Sequence, residues 1–353
     1  LYSCIIQIMY ETRKDSPALY WLRSDQTSDG SHPFLITNNK FTYARGIFPC
    51  QDSPSIRFTF AGEISVPNNL SSVIICGRTH KRLIKDGSRY KFAFYETFPM
   101  PAYAMIIVVG SLEIVELHHN VNLWAEKKYI EQSKTYFAKF HHIFTIAKEL
   151  CGPLYKQYNI CVLPPNIPEI EVSCLSMIFV SSTLLNEDSF LICSTVAQKV
   201  AQNWAGGLVT CTNFQHLWLS KSFSTFISRR IIHRMYKQNL IPNEMSFLER
   251  ITAYSLINKI NLHDLDSEQK LVPNLRSILP KDITKCVIDE LGYILLNYLE
   301  YFLGPVNFEL YLQSYFSNFR FKSINTNDWL IHLSYYFVKI CKIISFHVSI
   351  LEF

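Results

Sequence analysis

Apolar and polar positions alternate through the first third of the chain. Ser55-Ile56-Arg57-Phe58-Thr59-Phe60 switches side at every residue, as a half-buried strand does. Tyr90-Lys91-Phe92-Ala93-Phe94-Tyr95 and the opening run Cys4-Ile5-Ile6-Gln7-Ile8-Met9-Tyr10 also read as strands. Pro, Gly, Asn and Asp punctuate these short runs. After about residue 120 the period changes. Tyr129, Ile130, Tyr136, Phe137, Phe140, Phe144 and Ala147 recur at steps of three and four, which predicts a helix over 125–150 stopped by Gly152-Pro153. Ile160–Leu163 and Met177–Val180 predict short buried strands. Helices are then predicted near 190–205, 221–237, 244–260, 287–303 and 306–317. No internal repeat or low-complexity linker interrupts the order. The chain is expected to be α+β, with a partial β domain over 1–120 and a mostly helical domain over 121–353.

Composition narrows the class. With 353 residues, 48% hydrophobic and 18% charged, the chain is globular and long enough for two cores. The net charge of +5 is mild, and its basic residues are scattered, so no nucleic-acid partner is expected. The ten cysteines stand singly, with no C-x-x-C pair, which fits reduced thiols and a cytoplasmic location. The longest apolar runs, Met105–Val109 and the tail Ile343–Leu351, are too short for a bilayer, so no membrane partner is expected. The chain opens at Leu1, inside a predicted strand and without a signal-peptide pattern, and is expected to be a fragment.

Several segments carry a family resemblance. They include Ser16-Pro17-Ala18-Leu19-Tyr20-Trp21-Leu22 and Ala44-Arg45-Gly46-Ile47-Phe48-Pro49-Cys50-Gln51-Asp52-Ser53-Pro54. Val162-Leu163-Pro164-Pro165, Trp204, Gly206, Leu208-Val209-Thr210, Trp218-Leu219, Gly292-Tyr293 and Asp328-Trp329 continue the match in order, to about residue 337. Together they resemble the zinc aminopeptidases of the gluzincin clan, in the leukotriene-A(4) hydrolase and aminopeptidase B branch. The resemblance implies the end of an N-terminal β-sandwich or saddle domain, followed by a thermolysin-like catalytic domain. The family's C-terminal helical domain is expected to be absent from this chain.

The resemblance also implies a site, and there the residue types change. The family's H-E-x-x-H helix matches Gln198-Lys199-Val200-Ala201-Gln202, and its third zinc ligand, a Glu on the next helix, matches Lys221. Gln198 and Gln202 still share a helix face, but an amide is a poor zinc ligand beside imidazole. An ammonium has no lone pair and repels a dication. Lys199 stands where the general base belongs, and Asp289 where a Tyr would donate to the oxyanion. The Glu that anchors a substrate amine matches Ser173; Glu171 lies two residues away, on the same strand face but displaced by about 7 Å. The recognition-loop Gln matches Lys40, and the Glu that would orient a ligand matches Ser228. The adjacent pairs His118-His119 and His141-His142 are expected to point apart at the surface.

No zinc or other cofactor is therefore expected; zinc would be required only if the family activity were retained. Three functions stay open. The first is a non-catalytic homologue binding peptides or a protein partner in the old cleft. The second is an active zinc aminopeptidase. The third is a truncated gene product with no function as a protein.

Overall fold

The computed structural model describes residues 4–75, 78–79, 82–154, 157–168, 170, 174–238, 270–274 and 288–340. The helix predicted at 244–260 and the tail after residue 340 lie outside them.

The N-terminal region is β structure. Its strands are β1 (Leu19–Leu22), β2 (Phe34–Thr37), β3 (Arg57–Pro67), β4 (Ser72–Ile75), β5 (Arg78–Thr79), β6 (Arg82–Asp86), β7 (Arg89–Pro101) and β8 (Ile107–Gly110). Five form an antiparallel sheet in the order β1-β2-β8-β4-β5, and β3-β7-β6 make a second. The predicted strands around Phe58 and Phe92 form the first parts of the longer β3 and β7, which pair from Arg57↔Pro101 to Pro67↔Arg89. The strand predicted at Cys4–Tyr10 does not form. None of the described strands pairs with this segment, and Ile5, Ile6 and Met9 stay exposed. Alternation alone does not make a strand without a neighbour to take its hydrogen bonds.

A mixed four-stranded sheet follows, built from β9 (Glu113–His118), β10 (Val121–Ala125), β11 (Tyr158–Leu163) and β12 (Met177–Ser181) in the order β12-β11-β10-β9. The β10–β11 and β11–β12 pairs are parallel. Every residue of β11 is buried, as expected of a strand covered on both faces. Its side chains divide by parity. Tyr158, Ile160 and Val162 join the helical core, while Cys161 and Leu163 join the core of the β region. Likewise Ile178 and Val180 face the helices, and Met177 and Phe179 face the other way. One sheet is thus the common wall of two cores.

The helices are α1 (Ile130–Tyr136), α2 (Phe140–Cys151), α3 (Ser189–Trp204), α4 (Leu217–Lys237), α5 (Ile288–Leu303), α6 (Pro305–Asn318) and α7 (Thr326–Ile340). The single helix predicted over 125–150 is divided: residues 121–125 are strand β10, and a 3₁₀ turn at Phe137–Lys139 separates α1 from α2. The turn lets Phe137 and Phe140 both reach the core. Gly152 ends α2 at φ 83°, a conformation glycine adopts without steric cost.

Polar contacts lock the β region to the helices. The Arg57 guanidinium donates to the Thr210 hydroxyl (2.9 Å) and the Gly207 carbonyl (3.2 Å). The Tyr103 hydroxyl donates to the Gly206 carbonyl (2.9 Å), and the Ser323 hydroxyl to that of Pro54 (2.8 Å). The bonds to Gly206, Gly207 and Thr210 fix the loop that joins α3 to α4.

Candidate functional site

Helix α3 starts at Asp188, whose carboxylate accepts the Leu191 N–H at 2.8 Å. Its apolar positions Val196, Ala197, Val200, Ala201 and Trp204 are buried in the core. The remaining face carries Thr195, Gln198, Lys199 and Gln202, at helical spacings of three and four. Helix α4 lies against α3. It presents Lys221, Thr225, Ser228 and Arg229, and the start of α5 adds Asp289 and Glu290. Together they line a cleft of about 420 Å³. Gln198, Lys199, Gln202, Lys221, Ser228 and Asp289, all singled out in the sequence, are therefore brought together. Lys40 is not among the lining residues; it is half-buried, with its ammonium 5.2 Å from the Phe41 ring centroid. Glu171 and Ser173 lie outside the described residues.

Helix α5 can approach α4 this closely because residue 292 is glycine. A Cβ there would collide with the Ser222 side chain and crowd Trp218. The Ser222 hydroxyl donates to the Ile288 carbonyl at 2.8 Å. That bond fixes the start of α5, and with it Asp289 and Glu290.

A chain of hydrogen bonds crosses the cleft floor. The Ser228 hydroxyl donates to Gln198 Oε1 (2.6 Å), Gln198 Nε2 donates to the Ser224 hydroxyl (3.1 Å), and that hydroxyl donates to the Lys221 carbonyl (2.9 Å). Lys199 is buried, with Nζ donating to the Ile170 carbonyl at 3.0 Å. Arg229 meets Glu290 at 2.6 Å and lies over the Tyr293 ring, 4.0 Å from its centroid. Ser224, Arg229 and Glu290 were not anticipated from sequence. Ser224 had a weak signal: it lies three residues beyond Lys221, on the same side of the helix. Glu290 had none, since its partner is 61 residues away.

Zinc is held by imidazole, thiolate or carboxylate. The α3–α4 cleft offers amides, hydroxyls and cations, with Asp289 and Glu290 as its carboxylates, and Glu290 is already paired with Arg229. These residues do not fit the metal. Among the described residues no group of three His, Cys, Asp or Glu could hold a metal ion. Three of the histidines expected to point apart, His118, His141 and His142, do gather. The His141 ring centroid lies 4.4 Å from that of His118 and 3.8 Å from that of His142, because the end of β9 packs on the α1–α2 joint. No described helix is long and apolar enough to cross a membrane.

Comparisons with known proteins agree with this architecture. Residues 2–104 match the Peptidase M1 N-terminal domain, and residues 153–347 match the Peptidase family M1 domain. Leukotriene A-4 hydrolase of Xenopus laevis is 33% identical over 340 residues, covering 94% of this chain and 54% of the relative. Leucine aminopeptidase 2 of Emericella nidulans is 26% identical over 327 residues, covering 92% and 52%. The solved structure of yeast LTA4 hydrolase with bestatin superimposes with a TM-score of 0.80 at 28% identity, covering 93% of this chain and 51% of that one. The chain thus spans about half the length of these relatives. The matched domains, in order and over nearly its whole length, show that this chain belongs to peptidase family M1.

Proposed function

We propose that this chain is a non-catalytic homologue of the zinc aminopeptidases, and that it binds a peptide or protein segment in the cleft between α3 and α4. One observation carries the proposal. Gln198, at the position the resemblance gives to the first zinc ligand, has both ends of its amide engaged by serines, one of them Ser228. Ser228 stands where a carboxylate would orient a ligand. Here it holds Gln198 instead, so two changed positions compensate each other through one 2.6 Å bond. A buried amide is kept when its polar atoms find partners, and here the second changed position supplies one of them.

The other positions support the same reading. Lys221 places an ammonium where the third ligand belongs, and a cation there opposes a dication. Lys199, at the position of the base, is turned onto the Ile170 carbonyl. Asp289 would repel an oxyanion rather than donate to it. Buried single thiols at Cys151, Cys161, Cys174, Cys193 and Cys211 support a reducing, cytoplasmic setting.

Two measurements on the purified protein test the proposal. Elemental analysis after incubation with zinc and desalting is expected to give far less than one zinc per chain. Arginyl and alanyl fluorogenic amides are expected to stay intact. Stoichiometric zinc with chelator-sensitive hydrolysis would establish an active aminopeptidase and overturn the proposal.

A further inference from the structure

The α3–α4 cleft has a neighbour along the same helix. A second cavity of about 380 Å³ adjoins it and shares Thr195 and Lys199. Helix α3 lines the pair from Leu191, in the second cavity, to Gln202, in the first. Between those two residues the helix axis rises about 16 Å, the length of about five residues of extended chain.

The charges lining the α3–α4 cleft are all engaged. Arg229 holds Glu290 at 2.6 Å, Lys199 donates to the Ile170 carbonyl at 3.0 Å, and Lys221 and Asp289 also have partners. The second cavity adds Ser181, Thr183 and a carboxylate, Glu187, which is exposed and so attracts a cation only weakly through water. A terminal ammonium or carboxylate buried here finds no unpaired charge to replace its water, and desolvating it is costly. The hydrogen-bonding capacity left over is neutral. Gln202 and Thr195 on α3 and Thr225 on α4 line the cleft and make no side-chain hydrogen bond among the described residues. Thr195 and Gln202 stand two helical turns apart, on one face. An amide and a hydroxyl can each both donate and accept. A peptide group needs both, an acceptor for its N–H and a donor for its C=O.

Resting on the peptide-binding reading above, we infer that the two cavities form one groove for an internal, extended stretch of polypeptide, held by its neutral main-chain groups and by neither charged end. The chain lies along α3, past Thr195, with its peptide groups bonded to the Gln202 amide and the threonine hydroxyls. An aminopeptidase substrate, by contrast, must bring its free amine into the site.

The test passes a pool of random ten-residue peptides without charged side chains over the immobilised protein and counts the retained peptides by mass spectrometry. The pool is made with both ends free, with the amino end acetylated, with the carboxyl end amidated, and with both ends blocked. The doubly blocked form is expected to be retained within about twofold of the others, since no charged end takes part. Three-residue versions are expected to be retained at least about tenfold less, because they leave much of the groove empty. Gln202→Ala breaks no side-chain bond of the folded chain, and is expected to lower retention of the blocked pool by about fivefold, the scale of one net hydrogen bond. Retention that rises by about tenfold or more with either end free, or that ignores peptide length or Gln202, overturns the internal groove and leaves the peptide-binding reading standing. Retention of no form overturns both.

Discussion

Helix α3 has two faces of opposite character. On one, Val196, Val200, Ala201 and Trp204 are nearly inaccessible, and Trp204 also donates its indole N–H to the Gly152 carbonyl at 3.1 Å. On the other, Gln198, Lys199 and Gln202 border a cleft, where Gln198 bonds to serines and Lys199 to a main-chain carbonyl. The first face is constrained by volume. Its neighbours are close-packed, and a changed side chain leaves a hole or a clash. The second is constrained only by the need to satisfy polar groups, which many residue types can meet. A family fold can thus persist along one side of a helix while the chemistry along the other is exchanged.

The largest expected effect tests that asymmetry directly. Trp204→Ala removes a fully buried indole packed against Phe144 and is expected to cost about 3–5 kcal/mol in urea denaturation. Gln202→Ala, two residues before it on the cleft face, is expected to stay within about 0.5 kcal/mol. Comparable losses at both positions would break the distinction between the faces.

A smaller effect sharpens it. Gln198 is the cleft residue tied at both ends, so Gln198→Ala is expected to cost about 1–2 kcal/mol, more than Gln202→Ala but less than Trp204→Ala. Ser228→Ala should cost less alone, because its loss leaves Gln198 bonded to Ser224. The double variant is expected to be less destabilised than the sum by about 0.5–1 kcal/mol, the signature of a direct contact. Strict additivity would mean that the two substitutions are independent, and would remove the compensation on which the functional proposal rests.

The same contrast decides what could be read from sequence. Helical spacing is fixed, so Gln198 and Gln202 were legible on one face, while Lys221, on the next helix, was placed beside them by the family resemblance; all three line one cleft. Buried strands such as β11 and β12 were legible because a short, unbroken apolar run, ended by prolines after β11 and by serines after β12, has few alternatives. Lys40 was not placed. It follows Asn39 in a segment whose course is set by bonds from the Asn39 amide to the Ala102 and Met105 carbonyls, and nothing local predicts those. The broken helix after residue 125 depends on β10 pairing with β11, a partner more than thirty residues away. Helix α7 was missed as an element, although its Trp329 was noticed; the Trp packs edge-on against Trp218 at 5.1 Å.

The smallest effect lies on the packed side, where one polar joint interrupts the apolar surface. The Trp218 indole can only donate, so the Thr326 hydroxyl accepts from it at 2.9 Å and sends its own proton to His216 Nδ1, also at 2.9 Å. The Thr326 N–H donates to the same nitrogen at 3.4 Å. Nδ1 is therefore an acceptor and the ring is neutral. Burial lowers the His216 pKa from its usual value, and Asp328 only partly offsets it. With the folded-state pKa depressed, the unfolded chain binds the proton first as pH falls. Stability is thus complete above about pH 6.5 and declines below it, toward the folded pKa. Thermal melts between pH 7.5 and 5 are expected to show this decline. Burial also depresses His142, His233 and His332, so His216→Asn, which keeps an acceptor but cannot titrate, is expected to shallow the decline rather than abolish it. An unchanged slope in that variant would show that protons enter elsewhere, and that the packed side of the site has no pH-sensitive joint at Thr326.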